Sequence, residues 1–165
     1  MPQMTDDERW DYMKGAFAEV FIADLARHNG YTVKHNGGEW GGPGGADLLL
    51  EKNKKQTKVE VKLRTFESES NNLFIFERIP SDTDVLVVVR CYRTYHAGNP
   101  GLYICCFKAA GKRFVYINEN NEEVVVSGDS IDLRTVRPPG LGRYLGILNS
   151  GPLAERFLNV ASNLD

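Results

Sequence analysis

An acid at Asp47, followed by an acid and a lysine two residues apart at Glu60 and Lys62, is the grouping in this chain best suited to chemistry. Side chains of an extended strand alternate between faces, so Glu60 and Lys62 share one face while Val59, Val61 and Leu63 take the other. If Leu48 to Glu51 and Thr57 to Leu63 form a hairpin about KNKKQ, Asp47 comes round towards Glu60. Two carboxylates are hard oxygen ligands of the kind that holds Mg2+, with Mn2+ as a substitute, while water and substrate phosphate fill the remaining positions. A lysine on the same face could orient or help deprotonate an attacking water and steady charge on a phosphate. The chemistry such a site supports is phosphodiester hydrolysis. The same spacing also describes a solvated strand face with a cross-strand ion pair.

The elements around this hairpin decide between the two. Thr5 and Glu8 have the spacing of a capping box, and a long helix is expected after them. Trp10, Met13, Phe17, Val20, Phe21 and Leu25 form a large apolar stripe along it, beside a stripe of Gly15, Ala16, Glu19, Ala23 and Ala26. Glu19 would then be an acid presented where packing is tight. Asn29-Gly30 reads as the helix stop, and Tyr31 to His35 as a first strand. Residues 36 to 46 hold six glycines in eleven positions and deliver the chain to Asp47. That loop is either a flexible turn or a place where glycine backbone or Trp40 meets a ligand.

Beyond the hairpin, Thr65 to Asn72 reads as a loop or short helix and Asn72 to Phe76 as a further strand. Asp84 to Arg93 has the continuous apolar centre of a strand covered on both sides. Leu102 to Phe107 forms the next strand, and Phe114 to Ile117 with Glu123 to Ser127 a small hairpin. Residues 128 to 151 are expected to be mostly irregular. A last helix opens at Ser150 and Pro152, with Leu153, Phe157, Leu158 and Val160 on one side.

With 165 residues, 42% hydrophobic and 25% charged, the chain has the composition of one globular domain. The core is placed at about 5 to 110, and 111 to 165 is an extension available for oligomerisation or DNA contact. The acidic N-terminus and the lack of a long apolar run argue against a signal peptide or membrane span, which implies an intracellular protein. Cys91, Cys105 and Cys106 lack zinc-ligand spacing and read as buried, reduced thiols. The net charge of −2 conceals an uneven distribution. Residues 1 to 51 carry nine acidic and four basic side chains, whereas 52 to 64 carry six basic and one acidic, and 85 to 113 five basic and none acidic. Lys52, Lys54, Lys55, Lys58, Arg64, Arg90, Arg93, Lys112 and Arg113 in these islands are candidate phosphate contacts; as isolated groups they also read as solvated faces.

Taken together, Glu19 in KGAFAEVFIADLARHNGY, Asp47 in GGADLLLE, and Glu60 with Lys62 in KVEVKLR resemble the PD-(D/E)xK nuclease superfamily. The Gly-Tyr start to the first strand is similar to archaeal Holliday junction resolvases. The DVLVVV strand followed by LYICCF is similar to the branch containing small homing endonucleases. The resemblance covers roughly residues 13 to 107, with Ala46 in place of the proline before the first acid and no obvious helix after Lys62. It implies a restriction-endonuclease-like α/β fold, a central mixed sheet flanked by helices, here with a C-terminal hairpin and helix added. It further implies Mg2+-dependent cleavage of duplex or branched DNA, structure-selective or site-selective, by a homodimer or higher homo-oligomer. Glu19, Asp47 and Glu60 become metal ligands and Lys62 a catalytic residue. The alternative is a nuclease-like module that binds nucleic acid or a partner protein without cutting.

Overall fold

The computed structural model describes residues 5–66, 72–92, 102–118, 120 and 122–136. Helix α1 spans Asp6–His28, and its start is the expected capping box: Thr5 accepts from the Glu8 amide while Glu8 accepts from the Thr5 amide. Asn29 caps its end, and Gly30 follows at φ 86°, a left-handed angle that glycine takes without cost. Strand β1 (Thr32–His35) pairs antiparallel with β2 (Leu48–Lys52), which pairs antiparallel with β3 (Lys55–Phe66). The β2–β3 turn is only Asn53 and Lys54, at φ 53° and 65°. Positive φ at both central positions is the turn whose twist matches a tight hairpin, so the two strands run closer to the tip than the polar KNKKQ run suggests.

After β4 (Leu73–Ile75) the chain enters β5 (Val85–Tyr92), which lies parallel to β3. Strands β6 (Leu102–Ala110), β7 (Arg113–Ile117) and β8 (Glu123–Val125) then continue antiparallel. The result is one seven-stranded mixed sheet ordered β1-β2-β3-β5-β6-β7-β8. Strand β9 (Ser130–Asp132) pairs with β4 in a separate two-stranded sheet, and a 3-10 turn, Leu133–Thr135, follows it.

Two layers cover the large sheet. Helix α1 lies on the face that holds His35, Leu48 and Val59, which are cross-strand partners and so point the same way. Ala18, Ile22, Ala23, Leu25 and Ala26 of the helix are buried in the common core with Leu48, Leu50 and Val59. The opposite face holds Glu60, Lys62 and Arg64, and beside them Leu86, Val88, Cys105 and Phe107. It is covered by β4, β9 and the 3-10 turn: Arg64 lies over the Phe74 ring, Phe74 stacks on Phe107, and the Cys105 thiol meets the Leu133 and Val136 carbonyls. Val85 to Val89 are buried because both layers sit on that strand, as their uninterrupted apolar run implies.

Four expectations need correction. Among the described residues the sheet is flanked by one α-helix, and a small β layer takes the place of helices on its other face. On α1 the large apolar stripe is buried only at Leu25 and, in part, Phe21: Met13, Phe17 and Val20 are 61%, 56% and 51% exposed. The alanine side, reinforced by Ile22, allows a closer approach to the sheet and wins the packing. The irregular segment expected after residue 128 contains β9 and the 3-10 turn, recruited as the edge partner that β4 lacks. Arg90 is 8% exposed inside β5, so a solvent-side phosphate contact there is ruled out by burial. The hairpin expected near 114 to 127 is present as β7 and β8. Arg93, the central part of the segment between Thr65 and Asn72, and the C-terminal helix lie outside the described residues.

Candidate active site

The glycine-rich loop is organised by one side chain. The Asn36 amide Nδ2 donates to the carbonyls of Gly42, Gly45 and Ala46 at 3.0, 3.2 and 2.8 Å, and the Asn36 backbone N–H donates to the Asp47 carbonyl at 2.8 Å. Gly41 crosses over Asn36 at φ 85°, where an added Cβ would sit 2.5 Å from the Asn36 Oδ1. Only glycine fits there. From the far side Asp82 accepts the Ala46 N–H at 3.1 Å. Asp47 is therefore held from both sides of the residue before it.

Asp47 reaches across to β3, where its Oδ2 accepts the Val61 N–H at 2.9 Å. Glu60, one residue earlier, is 5% exposed. Burial, reinforced by hydrogen bonding and like charge from Asp47, pushes the Glu60 carboxyl up to about 8, against a partial opposing pull from Lys62. The Lys62 Nζ stands 3.2 Å from Glu60 Oε2 and donates to the Arg78 carbonyl at 3.2 Å. Arg78 presents that carbonyl from φ 54°, a left-handed backbone uncommon for a residue with a side chain. The hairpin thus brings Asp47, Glu60 and Lys62 together as their spacing predicts.

Glu19 is not brought to them. Its carboxylate is 2.9 Å from His35 Nδ1, on the helix-covered face, while Glu60, the neighbour of Val59 along β3, projects to the other. Among the described residues no group of three or more His, Cys, Asp or Glu is arranged to hold a metal ion. The available donor set is two carboxylates, which suits a hard cation that keeps water and phosphate in its other positions. The fit has a physical basis in the pair itself: a buried glutamate whose carboxyl is pushed up by burial and by the aspartate beside it is a place where a cation would relieve both desolvation and repulsion.

The basic candidates divide by what they touch. Lys52 is occupied, donating to the Asn29 carbonyl at 2.8 Å and lying over the Tyr31 ring. Lys58 is 4.0 Å from Asp82, and Arg64 donates to the Leu63 carbonyl at 2.9 Å. Lys54 and Lys55 are exposed at the hairpin tip, and Lys112 and Arg113 at the β6–β7 turn. Cys105 and Cys106 are buried free thiols; burial pushes Cys105 up to about 12 and Cys106 up further, so neither is a nucleophile. Sequence reasoning missed Asn36, Asp82 and Arg78. Asn36 heads its own glycine run, a signal available in the chain, whereas Asp82 and Arg78 act across 36 and 16 residues and leave no local trace.

No family model matches the chain, and no curated protein matches it. Among solved structures it is similar to a bacterial homing endonuclease, I-Ssp6803I, at 18% identity and a TM-score of 0.40, over 82% of this chain and 85% of that one. A likeness this loose leaves the chemistry to rest on the geometry of the site. No helix among the described residues is long and apolar enough to cross a membrane.

Proposed function

We propose that the chain is a DNA endonuclease that hydrolyses phosphodiester bonds with Mg2+, or Mn2+ in its place, at Asp47, Glu60 and Lys62. The observation that carries this reading is a buried Glu60 pressed against Asp47 with the Lys62 ammonium 3.2 Å away. A structural ion pair needs one carboxylate, and a second one placed beside it raises the cost of burial. Asp47 and Glu60 would hold the cation, which when bound supplies Lewis-acid polarisation of a phosphate oxygen and a more acidic water.

The chain's own groups do the rest. Asp47 is fixed by the Val61 N–H on Oδ2, and its carboxyl is hydrogen-bonded to that of Glu60. Lys62 has three N–H donors, of which Glu60 and Arg78 engage two; the third would be available to an incoming phosphate, where the ammonium would stabilise negative charge as it develops. Cutting both strands of a duplex calls for two such sites, which a symmetric dimer supplies.

The direct test incubates supercoiled plasmid and a panel of duplex, flap and four-way junction substrates with the protein and Mg2+. Cleavage that disappears in an Asp47→Ala, Lys62→Ala double variant is expected. Equal nicking by wild type and double variant refutes the assignment, and the substrate preferred in the panel separates structure-selective from site-selective cutting.

A further inference from the structure

A cavity of about 360 Å³ opens beside the loop that holds Lys62, a size within the usual range for a ligand site. Phe76 and Phe114, stacked with centroids 5.2 Å apart, form its apolar wall, and Arg78, Lys112, Arg113 and Asp129 add three positive charges against one negative. The wall is firmly built: Phe76 also packs edge-on against Phe74 and Phe107, and its N–H donates to the Asp129 carbonyl at 2.8 Å. Arg78 belongs to both places, since its carbonyl receives Lys62 while its residue lines the cleft.

We propose that this cleft binds a phosphate–sugar segment of the DNA strand next to the bond that Lys62 addresses, with Arg78, Lys112 and Arg113 contacting its phosphates; this rests on the endonuclease reading. Excess positive charge beside an aromatic wall is the pairing that strand binding uses, cations for the backbone and a ring face for the sugar or base. Continuity through Arg78 favours nucleic acid over an acidic peptide, because the residue that lines the cleft is also the one whose carbonyl receives the Lys62 amine at 3.2 Å, so a strand held in the cleft would lie next to the bond that Lys62 addresses. A filled cleft would steady Arg78 and, through it, Lys62.

The test measures binding of a short fluorescently labelled DNA duplex to the full chain by anisotropy, without divalent cation, across a salt series. The variant is Arg78→Gly with Lys112→Ser and Arg113→Ser; glycine at 78 keeps the left-handed backbone that offers its carbonyl to Lys62. The expected result is an affinity loss on the order of tenfold to a hundredfold at low salt. The slope of log affinity against log salt should become shallower by about 2 to 3, since each phosphate contact contributes about 0.9. Removing charge from the helix side, with Arg9→Ser and Arg27→Ser, should leave that slope unchanged.

An unchanged slope in the triple variant overturns the proposal, as do an equal change in the helix-side variant and a wild type that binds no DNA. Tighter binding of a polyglutamate peptide with the same dependence on the three residues overturns it in favour of a protein partner. Cleavage by wild type alongside an unchanged slope removes the cleft alone. A cleft-dependent slope in a chain that never cuts removes the endonuclease reading instead.

Discussion

The two faces of the sheet each present an acidic side chain to a basic one, and they differ in almost every other respect. On the helix side Glu19 meets His35, and both remain about a third exposed. On the other side Glu60 is nearly sealed from solvent, shares its surroundings with a second acid and meets an amine whose far side is fixed by a backbone carbonyl. A partly exposed pair is screened by water and contributes little to either stability or reactivity. The sealed group has an altered proton affinity and a rigid setting, which are the conditions under which side chains do chemistry. Burial and a second carboxylate, rather than the presence of an ion pair, distinguish a candidate site from ordinary surface.

The largest effect that would break this contrast is on cleavage. Asp47→Ala, Glu60→Gln and Lys62→Met are each expected to lower the rate of plasmid nicking by at least about 10²-fold, the scale of losing a positioned acid, base or charge stabiliser. Circular dichroism and a melting curve on each variant separate lost chemistry from lost folding. Melting also reports cation binding, because a ligand that prefers the folded state stabilises it. Mg2+ should raise the melting temperature of wild type and leave that of Asp47→Ala unmoved.

Stability against pH is the next largest effect. Burial and the Asp47 carboxylate push the Glu60 carboxyl from its ordinary 4.5 up to about 8 in the folded chain, so between those values the folded state is expected to keep a proton the unfolded state has released. Its stabilising contribution is complete below about 4.5 and is lost as pH rises through 8, at up to roughly 1.4 kcal/mol per pH unit. Urea denaturation from about pH 5 to 9, without divalent cation, should show a decline that Glu60→Gln flattens. A wild-type curve as flat as the variant's would remove the electrostatic distinction between the two faces.

Gly41→Ala probes the loop rather than the pair. It forces a side chain into a left-handed backbone and onto Asn36, so a loss of about 1–3 kcal/mol is expected in the same denaturation assay. Cleavage should fall more than stability does, because Asp47 is delivered by that loop.

Much of this was readable in the chain because the hairpin is local. Asp47, Glu60 and Lys62 lie within sixteen residues, and strand alternation alone decides which of them share a face. The capping box and the apolar run of β5 were equally local and equally legible. What failed depended on distant partners. The exposed Met13, Phe17 and Val20 form a better stripe by hydrophobicity than the alanines do, and only the packing of Ala18, Ala23 and Ala26 against Leu48, Leu50 and Val59 decides for the alanines. Strand β9 has too few residues to announce itself and exists because β4 needs an edge partner. Glu19 looked equivalent to the other acids until the register of β1 on β2 placed His35 on its side of the sheet.

The smallest predicted effect concerns that pair and completes the contrast. His35 and Leu48 are cross-strand neighbours, so a carboxylate bonded to His35 sits over the helix face, and its removal leaves the geometry of Asp47 and Glu60 intact. Glu19→Gln keeps the size of the side chain and one hydrogen-bond acceptor for the imidazole, and removes only the charge. Stability should therefore change by less than about 1 kcal/mol, and the nicking rate by no more than about threefold. Measured beside Glu60→Gln, the same chemical substitution on the opposite face, it isolates position from residue type. If Glu19→Gln abolished cleavage as completely as Glu60→Gln, the helix acid would have to reach Asp47 and Glu60 during the reaction, and the division of the sheet into a chemical face and a structural face would fail.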